Sequence, residues 1–177
     1  IKTMTANGVF ALSAITALIG HYLYGGIGQE GNRVRLTSRA RIHFGVLGAL
    51  AFVAVSATFW LSRYDMLLAD TGKYAGASFT DINASLPGRT VLAIAALLIA
   101  GLFIVAAIRG LWKLAVTGIA VGLVSMLVVS WAYPALVETF RVTPNAVEME
   151  SPYIQRNINA TLNAYGLDDV ETTTYNA

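Results

Sequence analysis

Residues 111–133, LWKLAVTGIAVGLVSMLVVSWAY, contain one lysine near the start and no other charged side chain. A run of this kind is either a buried core helix or a membrane span, and its length favours the span. Crossing a bilayer core takes roughly 20 predominantly apolar residues at helical rise. Moving outward, three similar runs cover residues 6–24, 40–61 and 90–108. Between residues 42 and 61, 90 and 108, and 114 and 133, His43 is the sole Asp, Glu, Lys, Arg or His. The whole chain of 177 residues agrees: 56% of it is hydrophobic, 12% is charged, and mean hydropathy is +0.62. Soluble domains carry roughly 25% charged residues. Each run is read as a helix, because a lone segment in hydrocarbon must satisfy its own backbone hydrogen bonds.

The fold class expected is therefore an all-α membrane protein, four transmembrane helices in a bundle forming a domain over residues 1–133. Pro134 is expected to bias Tyr133 out of helical conformation and so end the last span. After it the composition turns polar, with Glu138, Glu148, Glu150, Asp168, Asp169 and Glu171 against Arg141 and Arg156. Residues 134–177 read as the start of a mostly helical or irregular extracytoplasmic region. Within it, SPYIQRNINATLNAYG predicts a helix over about residues 152–165, with Ser151 as N-cap, Pro152 at the first position and Gly166 as the stop. Its apolar stripe, Ile154, Ile158, Leu162 and Tyr165, calls for a partner surface.

Orientation follows from Lys and Arg in the short loops, which are retained on the cytoplasmic side. Arg33, Arg35, Arg39 and Arg41 face only Glu30 in the first loop, and Arg109 and Lys113 have no acid near them in the third connection. The middle loop, residues 63–89, balances Arg63, Lys73 and Arg89 against Asp65, Asp70 and Asp81. Loops 25–39 and 109–113 are thus expected in the cytoplasm, and 63–89 and 134–177 outside a multi-pass plasma-membrane protein. Trp60 and Tyr64, and Trp131 and Tyr133, fall at outer span ends; Tyr22, Tyr24 and Trp112 fall at inner ends, as interfacial rings do.

Two segments, WLSRYDMLLADTGKYAGASFTDINASLPGR and YPALVETFRVTPNAVEMESPYIQRNINATLNAYGLDDV, resemble uncharacterised protein family 0182 of bacteria. The resemblance runs from about Arg39 to Val170 and implies a large protein with seven spans before a big extracytoplasmic region. The present spans would then be the fourth to seventh, and the chain a piece of that longer protein. The opening IKTMTANG, which has no initiator Met or basic leader, reads the same way. The resemblance implies no catalytic residues.

His21 and His43 sit at similar depth near the inner ends of spans one and two, which makes a paired-imidazole cofactor or metal site conceivable. Hydrated interfacial anchoring is the simpler reading, and no metal ligand set or cofactor is assigned. Cysteine is absent, which excludes disulfides and thiolate sites. Gly45 with Ala49, and Gly118 with Gly122, have the spacing of close helix contacts, as do Ala93, Ala96 and Ala100. GGIGQEG lacks the Lys-Ser/Thr ending of a phosphate loop and reads as a flexible turn. In the outer loop, DTGK reads as a turn, RYDMLLA as a short interfacial helix, and SFTDINASLP as a helical turn begun by Ser78 or Thr80 and ended by Pro87. Its carboxylates have no His or Cys companion, so no catalytic residue is assigned and the reading leans away from an enzyme.

The function expected is a membrane anchor, scaffold or accessory subunit that presents an outer region. Its partners would be membrane lipids, other membrane subunits and the rest of its own chain, with no nucleic acid. A transporter or channel component is the alternative. An enzyme with its site in further outer sequence comes third.

Overall fold

The structure, a computed structural model, describes residues 2–30, 33–68 and 76–167. α1 (Lys2–Leu23) leads into an antiparallel hairpin, β1 (Ile27–Glu30) and β2 (Arg33–Leu36), then α2 (Ser38–Leu61). A short 3-10 turn, Tyr64–Leu68, follows. The expected flexible turn at GGIGQEG is therefore corrected: Gly26 to Glu30 lead into and form a paired strand, with Ile27 opposite Leu36 and Glu30 opposite Arg33. Among the described residues, three helical stretches are long and apolar enough to cross a membrane: Ser38–Met66, Asp81–Arg109 and Trp112–Tyr165. The apolar Ala11–Leu23 forms the second half of α1.

Two of these stretches run past the points where proline was expected to end them. α3 (Leu86–Arg109) continues a π-helical turn, Asp81–Ser85, straight through Pro87. α4 (Trp112–Leu127) continues through a second π turn, Val128–Ala132, into α5 (Tyr133–Val137), and a third, Glu138–Val142, precedes a 3-10 turn and α6 (Ala146–Tyr165). The same device sits before each of three prolines. Leu86 N–H donates to the Asp81 carbonyl, Tyr133 N–H to Val128 and Thr143 N–H to Glu138, in each case five residues back and just ahead of Pro87, Pro134 and Pro144. In a regular helix the proline ring meets the carbonyl four residues earlier. A wider turn relieves that clash and lets the helix go on. Tyr133 is accordingly helical, at φ −64° and ψ −49°, which corrects the expected break. The helix expected from Ser151 also starts earlier. It begins at Ala146 with Pro152 inside it, and ends as expected at Gly166, φ +63°.

Burial is distributed opposite to that in a soluble domain. The buried apolar residues are mostly alanines, among them Ala40, Ala49, Ala93, Ala96, Ala100, Ala106, Ala107 and Ala115. Leucine, valine and isoleucine instead line the outside: Leu98 is 67% exposed, Val116 64% and Leu127 66%. Helices in lipid gain little by hiding apolar surface from one another, so association rests on close approach through small residues. α2 and α3 show this most clearly. A Cβ on Gly45 would lie 2.2 Å from the Ala107 Cβ, and one on Gly48 would lie 2.3 Å from the Phe103 ring. Farther along the same seam the buried Ser56 Oγ donates to the Ala93 carbonyl at 2.7 Å. α4 repeats the arrangement on the other face of α3, with Gly118 against Leu102 and Gly122 against Ile99.

Gly45→Leu therefore forces α2 and α3 apart and is expected to cost about 1–3 kcal/mol, the usual range for overpacking. Thermal unfolding in detergent, followed by size-exclusion or tryptophan fluorescence, should show a lower midpoint. Gly101→Ala serves as the control, since no atom lies within 4 Å of the added methyl. Equal midpoints for the two variants would show that the bundle does not depend on the α2–α3 approach.

Candidate functional site

At the hairpin end of the bundle the backbone after α1 folds back on the last turn of that helix. Gly25, at φ +69°, turns the chain, and Gly26 N–H donates to the His21 carbonyl at 2.6 Å. Thr37 N–H then donates to the Gly26 carbonyl at 2.9 Å, tying the base of the hairpin to the start of α2. Thr37 also caps α2, its Oγ1 accepting from Ala40 N–H at 3.3 Å. These bonds fix the two helix ends that carry the histidines. His21 Nε2 lies 3.0 Å from His43 Nδ1, with ring centroids 5.2 Å apart and planes at 74°. Phe44 sits 5.5 Å from the His21 ring. A Cβ at position 26 would come within 2.7 Å of His21 Nδ1, so glycine lets the backbone lie against the imidazole. The pair opens on a groove of about 1040 Å³, lined toward its polar end by Tyr24, Thr37, Ser38 and Arg39 and along α1 by Leu12 and Thr16.

The basic residues gather at that same end. A Cβ on Gly110, the left-handed residue that ends α3, would lie 2.7 Å from Arg41 Nη1. The first loop and the third connection, with Arg109 and Lys113, are therefore neighbours. Arg35 is exposed on the hairpin, and Arg33 heads β2. Arg41 Nε and Trp112 Nε1 are buried and donate to no protein partner among the described residues.

At the opposite end a segment that looked like a loop is clamped to the C-terminal helical run. Ser78 and Asp81 form a reciprocal cap: Ser78 N–H donates to Asp81 Oδ2 at 3.1 Å and Asp81 N–H to Ser78 Oγ at 3.2 Å. Of the two candidate caps, Ser78 starts the turn. Thr80 is used elsewhere, its hydroxyl donating to the Glu138 carboxylate. Phe79 N–H donates to Glu150 Oε1 at 3.2 Å, and Asn83 Nδ2 to the Tyr153 hydroxyl at 3.1 Å. The Phe79 ring meets Tyr153 edge-on at 6.2 Å, and the Arg141 guanidinium lies 5.5 Å from the Phe79 centroid. Glu150 is 8% exposed. Pro87 does not end this turn, because the preceding wide turn carries it into α3.

Between the π turns of α3 and α4 lies a small polar pocket of about 270 Å³, lined by Ser62, Asp65, Ser85, Arg89 and Ser130. Arg89 donates to the Ser62 carbonyl at the end of α2. Trp60, 48% exposed, has the Arg63 guanidinium 4.5 Å above its ring, and Trp131 is 74% exposed. Gly45, Ala49 and Gly118 are buried within the bundle. Among the described residues no three His, Asp or Glu side chains stand together as a metal set. Asp70, Lys73, Tyr74, Asp168, Asp169 and Glu171, and the turn expected at DTGK, lie outside the described residues. The sequence reading missed Glu138, Glu150 and Tyr153 as clamp residues, since nothing in their spacing links them to residues some 58 to 71 positions earlier. Gly26 was missed as well, and a glycine beside a helix-end histidine is the signal that marks it.

A family model described as Uncharacterised protein family (UPF0182) matches residues 2–177. Similar curated relatives, each called UPF0182 protein, come from Micrococcus luteus, 45% identical over 94% of this chain, and Kocuria rhizophila, 44% identical over 94%. One from Tropheryma whipplei is 41% identical over 95% of the chain. The chain spans only 16%, 17% and 18% of those three proteins. No solved structure matches.

Truncating the buried carboxylate tests the clamp. Glu150→Ala strands the Phe79 N–H, at a cost of about 1–3 kcal/mol for a buried unsatisfied donor. Hydrogen exchange at residues 78–83 should then accelerate by roughly tenfold or more while α2 and α3 stay protected. Unchanged protection would mean that the segment is held by other contacts.

Proposed function

Because the chain belongs to the uncharacterised protein family UPF0182, and spans about a sixth of its relatives' length, we propose that it is the membrane-anchoring and presenting part of a larger envelope protein. The observation that carries this reading is that the helix begun at Trp112 continues through its two π turns to Val142 and then, after a bend at Asn145 (φ −127°, ψ 38°), into α6. From Trp112 to Val142 the run is about 46 Å long at ~1.5 Å per residue, against a hydrocarbon core of ~30 Å. The helix thus reaches beyond the apolar layer, and the Ser78–Asn83 clamp braces it where it bends into α6. Its outer part bears Ile154, Ile158 and Leu162, which are 37%, 44% and 36% exposed, as a stripe for further outer sequence of the same protein or a partner subunit. The bundle, with α1 as a fourth span, holds that rod upright. Its basic end, Arg39, Arg41, Arg109 and Lys113, lies on the cytoplasmic side.

A second reading, a transport component, draws on the polar pocket between the two π turns, since distorted helices with free backbone groups are how transporters build solute sites. The anchor reading is preferred because Arg89, the one cation in that pocket among the described residues, is engaged with the end of α2.

Orientation and partnership are both measurable on the full-length protein. In a cysteine-free background, Asn163→Cys should react with an impermeant maleimide on intact cells and Gly28→Cys only after permeabilisation. The reverse pattern would overturn the topology. A photo-crosslinker at Ile158 should give a protein adduct, within the chain or to a partner. A rod that crosslinks to nothing, in a protein purifying as a clean monomer, would sink the anchor reading.

A further inference from the structure

The two histidines at the inner end are arranged to take a metal ion. We propose that His21 Nε2 and His43 Nδ1 are cis ligands of one borderline divalent transition metal, of the copper or nickel class. The argument begins with distance. Two nitrogens each ~2.0–2.1 Å from one ion lie about 3.0 Å apart when they subtend roughly 90–95°. His21 Nε2 and His43 Nδ1 are 3.0 Å apart. Adjacent positions of a square-planar or octahedral site thus fit without moving either helix, and small rotations about the broad His χ2 bring both lone pairs to one point.

Placement is as informative as distance. The imidazoles come from two different helices, and each is held by its own backbone device: Gly26 lies against the back of the His21 ring, while the Thr37 cap fixes the start of the helix that carries His43. With the metal on His21 Nε2, the proton of that ring resides on Nδ1, next to Gly26. His43 correspondingly carries its proton on Nε2. Imidazole pairs select copper and nickel over the hard cations, which prefer carboxylate oxygens, and among the described residues no carboxylate lines this groove. The remaining positions face a groove of about 1040 Å³ with the Thr37 and Ser38 hydroxyls on its wall, room enough for water or for a donor from further sequence of the same protein.

The test uses the full-length protein, purified in detergent and stripped with chelator, with Cu²⁺ as the probe. Wild type should take up one equivalent more than a His21→Gln/His43→Gln double variant. The electron paramagnetic resonance spectrum of that equivalent should show coupling to two imidazole nitrogens. Each single Gln variant should lose the two-nitrogen pattern and bind at least about tenfold more weakly. Gly26→Ala keeps both ligands but pushes the His21 ring aside, and should also weaken binding about tenfold or more, a loss typical of disturbing what orients a ligand. Matching elution profiles and melting curves guard against misfolding. If wild type and the double variant bind the same amount with the same spectrum, the pair is a plain imidazole–imidazole hydrogen bond and the proposal fails. This result is independent of the anchor reading, which depends on the opposite end of the molecule.

Discussion

In hydrocarbon no water is available to replace a lost backbone hydrogen bond, and this constraint governs how the chain is built. A helix that breaks inside the apolar layer leaves carbonyls and amides stranded, each at a cost of several kcal/mol. Pro87 and Pro134 are nevertheless passed by a helix that keeps going, by the same local solution, a donor reaching back five residues instead of four, and the same donor precedes Pro144, where the chain bends at Asn145. Continuity carries the helix from Trp112 to Val142, and with α6 beyond the bend it forms the surface on which Ser78–Asn83 is clamped.

The same constraint explains the inverted burial. With backbone groups satisfied within each helix and lipid solvating the large side chains, little remains to draw helices together except contact between backbones. Glycine and alanine at Gly45, Ala49, Ala93, Ala96 and Ala107 supply it. Where polar groups do enter the seam they are few and paired, as with Ser56 and the Ala93 carbonyl. The chemistry is left to the two ends: imidazoles and arginines at one, carboxylates and amide donors at the other.

The long helices were legible in the sequence because apolar span length is a one-dimensional signal. Helix positions 40–61 and 90–108 fall inside α2 and α3, and the Gly45/Ala49 and Gly118/Gly122 spacings lie on the faces that pack. Proline was misread because the rule that it ends a helix assumes a regular turn before it, and a turn wider by one residue leaves no mark in composition. The GGIGQEG strand was missed for a related reason. Its pairing partner, with Arg35 and Leu36, is recognised only by register, and glycine-rich sequence gives register no apolar pattern. The clamp was invisible for want of proximity: Phe79 and Glu150 are 71 residues apart, and only the folded rod brings them together. The histidine pair lay between these cases. Equal depth could be counted along two spans, but not the facing of two rings.

The wide turns before Pro134 and Pro144 also have an angular meaning. Successive residues of an α-helix are about 100° apart around the axis, and a turn that spends one extra residue rotates everything beyond it by about that amount. Val128–Ala132 and Glu138–Val142 each do so, so the compass bearing of Glu150, Tyr153 and the Ile154–Ile158–Leu162 stripe is set jointly by these two turns. Chain length there acts as a dial. A lineage that loses or gains a single residue at either turn would keep every side chain beyond it, yet present a different meridian of the helix to whatever stands beside it.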